Sequence, residues 1–287
     1  MQRLPFFYHI PKNAGTYFIS YSMIFGRFYV VDNIGVPPRN YLRNIEIKRG
    51  HAVCARLIAI DPKSDFCQKN EKIKKPRNPD PTYYQIAYDD FKNDSLEGLQ
   101  PLVFIVEGGG FDLRDAFLDR MKDYCPFECL IDREPISRQK SLYRYLTSQD
   151  SAHEKTHKNF TNSLSFDNYI RHHINEEDCW LIRAFLQKRY PEKINMGDFN
   201  AVCEILDSCY IKDISETDEF IRTVFRKCHG DEVEKLMKKQ GRRAEFNNLN
   251  KNASSSKKPI GNYNEEALKS KLYWANKVYE KYCTKEK

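Results

Sequence analysis

LPFFYHIPKNAGTYFIS, residues 4–20, decides the fold. Residues 4–10 are almost wholly apolar, as a strand covered on both faces requires. PKNAG, residues 11–15, ends that run with a proline and a glycine and reads as a turn. Beyond it Phe18, Ile19, Met23 and Ile24 recur at helical spacing, predicting a helix over residues 16–25. A loop between a strand and a helix presents free N–H groups at the positive end of the helix dipole, which attracts an anion. Lys12 adds full charge, Gly15 lets backbone come close, and Thr16 supplies a hydroxyl. The loop is not a Walker A sequence, because its lysine precedes the turn.

Working outward, strands are expected within residues 43–60, at 101–106 (PLVFIV), 127–132 (FECLID) and 210–214. Helices are expected from Pro135 through Leu146, over 167–190, 199–206, 216–229 and 265–282, with Pro135 suited to a first helical turn. Strands alternating with helices predict a three-layer α/β/α domain around a mostly parallel sheet, with a helical C-terminal half. The whole of residues 1–287 reads as one domain. Residues 61–98 are a polar excursion with some local helix near 84–92, and residues 238–262 form a basic loop.

Lysine and arginine number 47 against 40 aspartate and glutamate, a net charge of +7. That mild excess fits one anion-binding cleft and is too weak for a dedicated nucleic-acid binder. No apolar run is long enough for a membrane span and no leader precedes the first strand, so a cytoplasmic protein is expected. Nine cysteines form no paired CxxC set and read as reduced thiols. The string His153-Glu154-Lys155-Thr156-His157 has polar neighbours and no apolar helix face, and adjacent His172 and His173 point apart on a helix, so no metal site is expected.

His9-Ile10-Pro11-Lys12-Asn13-Ala14-Gly15-Thr16 resembles the 5′-phosphosulfate loop of carbohydrate sulfotransferases, (H/R)-(I/V)-P-K-(T/N)-(A/G)-(G/S)-T. Arg133-Glu134-Pro135-Ile136-Ser137-Arg138-Gln139-Lys140-Ser141-Leu142-Tyr143 is similar to that family's 3′-phosphate motif, R-(D/E)-P-x-x-R-x-x-S-x-Y. Physically, Arg133 at a strand end can hold a phosphate with two bonds, and Ser141 can donate from the helix that follows. Fainter likenesses follow in Asp178 to Arg183, Asn252-Ala253-Ser254 and the closing helix. The resemblance implies a P-loop NTPase-like sulfotransferase fold and the donor 3′-phosphoadenosine 5′-phosphosulfate. It places Lys12, Asn13, Ala14, Gly15, Thr16, Tyr17, Arg133 and Ser141 at the nucleotide, and a glycan hydroxyl as acceptor.

Sulfuryl transfer needs a base for the acceptor hydroxyl and positive charge at the leaving phosphate oxygen. Lys12 suits the second task. For the first, Gly50-His51 resembles the family segment that carries a catalytic histidine, although Cys54 stands where that segment has an aromatic. Glu107, at the end of the 101–106 strand, is the other candidate. Two further classes stay open on the residues alone. One is a phosphotransferase, which needs a magnesium-binding aspartate at a strand end, where Asp132 stands. The other is a non-catalytic nucleotide- or glycan-binding protein.

Overall fold

The computed structural model describes residues 3–15, 18, 27–32, 53–58, 83–87, 104–107, 125–147, 165–186, 188, 190–230 and 259–284. Among the described residues seven strands follow in chain order: β1 (Arg3–His9), β2 (Arg27–Asp32), β3 (Val53–Ile58), β4 (Tyr83–Ala87), β5 (Phe104–Glu107), β6 (Cys125–Asp132) and β7 (Tyr210–Asp213). The α-helices among the described residues are α1 (Pro135–Leu146), α2 (Phe166–His173), α3 (Trp180–Leu186), α4 (Met196–Leu206), α5 (Thr217–His229), α6 (Glu265–Lys271) and α7 (Tyr273–Cys283). The strand order is β4-β3-β2-β5-β1-β6-β7. Parallel pairing joins β1 to β5 and β6, β2 to β3 and β5, and β3 to β4. The protein is therefore mixed α/β with a parallel sheet.

The chain forms two compact units that interleave along the sequence. The first takes Met1–His9, Thr16–Leu130 and Asp218–Arg243. In its sheet β1 lies between β5 and β6, and its residues after Arg3 are all buried, as a strand flanked on both edges and both faces demands. Phe7 stacks on Phe18 with ring centroids 4.0 Å apart, and Phe220 and Phe225 of α5 close on the same pair at 6.0 and 5.7 Å from Phe18. On α5 the buried residues are Phe220, Ile221, Val224 and Phe225, a single helical stripe. From the other face of β1, Tyr8 donates its hydroxyl to Glu128 Oε1 at 2.6 Å.

The second unit takes Ile10–Gly15, Ile131–Thr217 and Ala244–Lys287. Its core is aromatic: Tyr143 meets Phe166 edge-on at 5.2 Å, Phe166 meets Tyr263 at 5.1 Å, and Tyr169 donates to Gln139 Oε1 at 3.1 Å. Tyr279 of α7 donates to Asp213 Oδ2 at 2.8 Å, fastening the last helix to the end of β7.

Several expectations are corrected here. The helix expected near 84–92 begins instead as strand β4, where Tyr83, Tyr84 and Ile86 favour extended backbone and pair with β3. The 61–98 stretch thus contributes a strand to the sheet. Strand β2 had no sequence expectation, although Phe28, Tyr29, Val30 and Val31 are strand-forming types. The helix expected over 167–190 is two helices. It breaks after His173 because Ile174 is extended and Glu177 adopts a left-handed φ of 51°. The closing helix also divides, at Leu272. Of the helix expected over 16–25, Phe18 is helical, as is Gly15 just before that span, and the rest lies outside the described residues, as does the basic loop 238–258. Among the described residues no helix is long and apolar enough to cross a membrane.

Candidate anion-binding site

β1 delivers the chain to a tight turn. Ile10 is fully buried, and Asn13 N–H donates back to Ile10 O at 3.2 Å. Lys12 and Ala14 both hold left-handed backbone, φ 71° and 57°. Such conformations cost a non-glycine residue about 1–3 kcal/mol each, so something must hold them. Gly15, which the sequence marks as the pliant residue, is helical and buried instead. Positive φ on either side of Asn13 is a backbone pattern of the kind found in anion-binding nests, with the Asn13 N–H itself bonded to Ile10 O. Among the described residues neither Lys12 nor Ala14 N–H reaches a carbonyl.

The constraint comes from the end of β6. Asn13, with no solvent exposure, donates from Nδ2 to Ile131 O and to Asp132 Oδ1, each at 3.1 Å. Arg133 N–H donates to the same Oδ1 at 2.8 Å, and Arg133 NH1 donates to Lys12 O at 3.4 Å. The two motifs that the sequence places about 120 residues apart thus meet within one unit. Both donors of the Asn13 amide are engaged inside the protein, so the side chain braces the turn. Its Oδ1 is buried with no hydrogen-bond partner.

α1 opens on Glu134, whose carboxylate oxygens accept from Ile136 N at 2.9 Å and Ser137 N at 2.7 Å, with Pro135 in the first turn. This cap is what the acidic residue before the proline does here. It also occupies two of the helix's free N–H groups, leaving Arg133 and side chains such as Ser141, half-buried in α1, to meet an anion.

The electrostatics are those of neighbouring half-buried cations. Burial, then the Arg133 charge, hold the Lys12 ammonium below its ordinary pKa. Burial likewise lowers Arg133, with Glu134 and Asp213 working against that and Arg144 adding to it. Lys12 Nζ lies 4.2 Å from the centre of the Tyr145 ring, a cation–π contact that parks the ammonium beside the loop. Burial raises the Asp132 carboxyl above its usual value, opposed by Arg138 and by its bonds from Arg133 and Asn13.

Of the expected nucleotide residues, Lys12, Asn13, Ala14, Gly15, Arg133 and Ser141 belong to this unit. Thr16, Tyr17 and His51 lie outside the described residues, as do Asn252-Ala253-Ser254 and His153 to His157. Glu107 ends β5 opposite His9 in the β1–β5 pairing. Asp178 and Arg183 bond each other at 2.6 Å, and Tyr190 donates to Asp178 Oδ2 at 2.7 Å, a pairing that holds α3. Sequence reasoning missed Arg144 and Tyr145. The available signal was their spacing, three and four residues after Ser141 on one helix. No protein-family model matches the chain, and no curated protein or solved structure does so.

Proposed function

We propose that this chain is a sulfotransferase that moves a sulfuryl group from 3′-phosphoadenosine 5′-phosphosulfate to a hydroxyl, with a glycan as acceptor, on a three-layer sulfotransferase-type fold. The observation that carries the reading is the bond from Arg133 NH1 to Lys12 O, 3.4 Å, which joins the two motif segments in one cationic place. One segment has the backbone of an anion nest and the other ends in a guanidinium at a strand terminus. A donor with two separate phosphate positions suits both.

In the reaction the acceptor oxygen attacks sulfur, the bond from sulfur to the bridging phosphate oxygen breaks, and the electron pair stays on the departing 5′-phosphate. Lys12 balances the charge that develops there. The hydroxyl proton passes to a base, His51 first and Glu107 second. The phosphotransferase reading has less support, because Asp132 is buried and its Oδ1 already accepts two N–H groups.

Calorimetry tests the donor. Adenosine 3′,5′-bisphosphate is expected to bind well ahead of ATP and AMP, whereas equal affinities would remove the donor assignment. His51→Ala is expected to abolish transfer and leave nucleotide binding intact; turnover by that variant moves the base to Glu107.

A further inference from the structure

Ser141, Arg144 and Tyr145 lie three and four residues apart on α1 and so share one face. Tyr145 meets Lys12 Nζ with its ring, so this face looks onto the loop. Arg144 Nε is buried and has no hydrogen-bond partner. Lys12, Arg133 and Arg144 form a run of positive charge, and among the described residues none of the three makes an ion pair with a carboxylate. The carboxylates close to Arg133 have other work. Glu134 caps α1 with both oxygens, while Asp213 accepts from Ser215 N through Oδ1 and from Tyr279 through Oδ2. Glu134 and Asp213 offset part of the repulsion among these half-buried cations, and a bound anion removes more of it.

We infer that Arg144 is the third cation of the donor grip and a specificity residue for the 3′-phosphate; the inference rests on the donor reading above. Its place on the 3′ side follows from α1, where it stands about one turn beyond Ser141, the helix residue assigned to that phosphate. Arg144 acts on Arg133, whereas the charge that acts on Lys12 is that of Arg133. Arg133, Ser141 and Arg144 then surround one phosphate from a strand end and a helix face, and Lys12 is left to the phosphosulfate. The structural alternative for Arg144 is a cation in the last turn of α1 that complements the helix dipole, a role lysine fills equally well.

The experiment is calorimetry of wild type, Arg144→Lys and Arg144→Ala against adenosine 3′,5′-bisphosphate and adenosine 5′-monophosphate, with thermal melts alongside. Arg144→Ala is expected to weaken the bisphosphate on the order of 10- to 100-fold and the monophosphate by less than about threefold, with Arg144→Lys between wild type and alanine. A bisphosphate preference that survives both substitutions overturns the inference and leaves the donor reading standing. Wild-type protein that does not prefer the bisphosphate overturns both. If the alanine variant does not fold, Arg144→Lys decides: wild-type affinity overturns the inference, and a selective loss for the bisphosphate supports it.

Discussion

Asn13 Nδ2 stands 3.1 Å from Asp132 Oδ1, and this contact ties the turn after β1 to the last residue of β6. The same nitrogen also reaches Ile131 O at 3.1 Å. Asn13→Ala deletes both bonds and leaves a buried carbonyl and a buried carboxylate short of a donor. The expected cost is about 2–4 kcal/mol in urea unfolding, the sum of two unsatisfied buried acceptors. Asn13→Asp is expected to destabilise at neutral pH more than at acidic pH, because it sets a second carboxylate against Asp132. Asp132→Asn in that background restores a donor–acceptor pair and is expected to recover part of the loss. Additive losses in the double variant would show that the two residues do not act on each other.

Asp132 also sets a pH dependence. Burial disfavours its ionised form more than Arg138, Arg133 N–H and Asn13 favour it, so the folded carboxyl keeps its proton above the ordinary value of 3.8. Between that value and the raised one the native state binds more protons than the unfolded chain. The group's contribution is therefore full below the unfolded pKa and declines as pH rises through the folded pKa. Asp132→Asn keeps an oxygen acceptor for both N–H groups and removes the titration. Melting temperatures of both proteins from about pH 4 to about pH 7 are expected to show wild type losing ground to the variant as pH rises. A constant difference across that range would mean that Asp132 does not titrate there.

Glu134 is expected to matter through the helix it starts. Its two bonds, to Ile136 N and Ser137 N, satisfy donors that have no partner inside α1. Glu134→Ala is expected to lower stability by about 1 kcal/mol, the usual worth of an N-cap. Glu134→Asp and Glu134→Ser, which keep a capping oxygen, are expected to lose less. Equal losses in all three variants would place the effect of Glu134 on Arg133 and not on the cap.

Strands β1, β5 and β6 and the motif segments were legible because their signals are local. Residues 4–10 are almost wholly apolar, and Arg133-Glu134-Pro135 marks a strand end and a helix start within three residues. What the sequence hid depends on partners far along the chain. Tyr83 to Ala87 is a strand only because β3 lies beside it. Gly15 drew attention as the residue that lets backbone come close, yet the left-handed conformations fall on Lys12 and Ala14, which the Asn13 brace holds. Asn13 was legible as a loop residue but not as a brace, because Ile131 and Asp132 are more than a hundred positions away.

The core of the first unit rests on one aromatic cluster. Phe7, Phe18 and Phe220 each have no solvent exposure, and Phe220 lies 6.2 Å from Phe7 and 6.0 Å from Phe18. Phe220→Ala is expected to cost about 3–5 kcal/mol in equilibrium unfolding, as for other buried phenylalanines. Phe220→Leu retains much of the apolar volume and is expected to cost less than half as much. An alanine variant as stable as wild type would mean that α5 does not pack on β1.

Arg133 separates the chemistry of the two phosphate positions. Among the described residues its guanidinium bonds Lys12 O, and its planar fork of N–H groups suits a phosphate. Arg133→Ala is expected to weaken adenosine 3′,5′-bisphosphate on the order of 10- to 100-fold and adenosine 5′-phosphosulfate, which lacks the 3′-phosphate, much less. Arg133→Lys keeps the charge but not the fork and is expected to fall between wild type and alanine. Because Arg133 also holds the Lys12 carbonyl, its loss has a second route to affinity, through the shape of the loop. That route acts on both nucleotides alike, so the ratio of the two affinities, and not either one alone, reads the 3′-phosphate contact. A ratio unchanged from wild type would assign Arg133 to bracing the loop and remove it from the ligand.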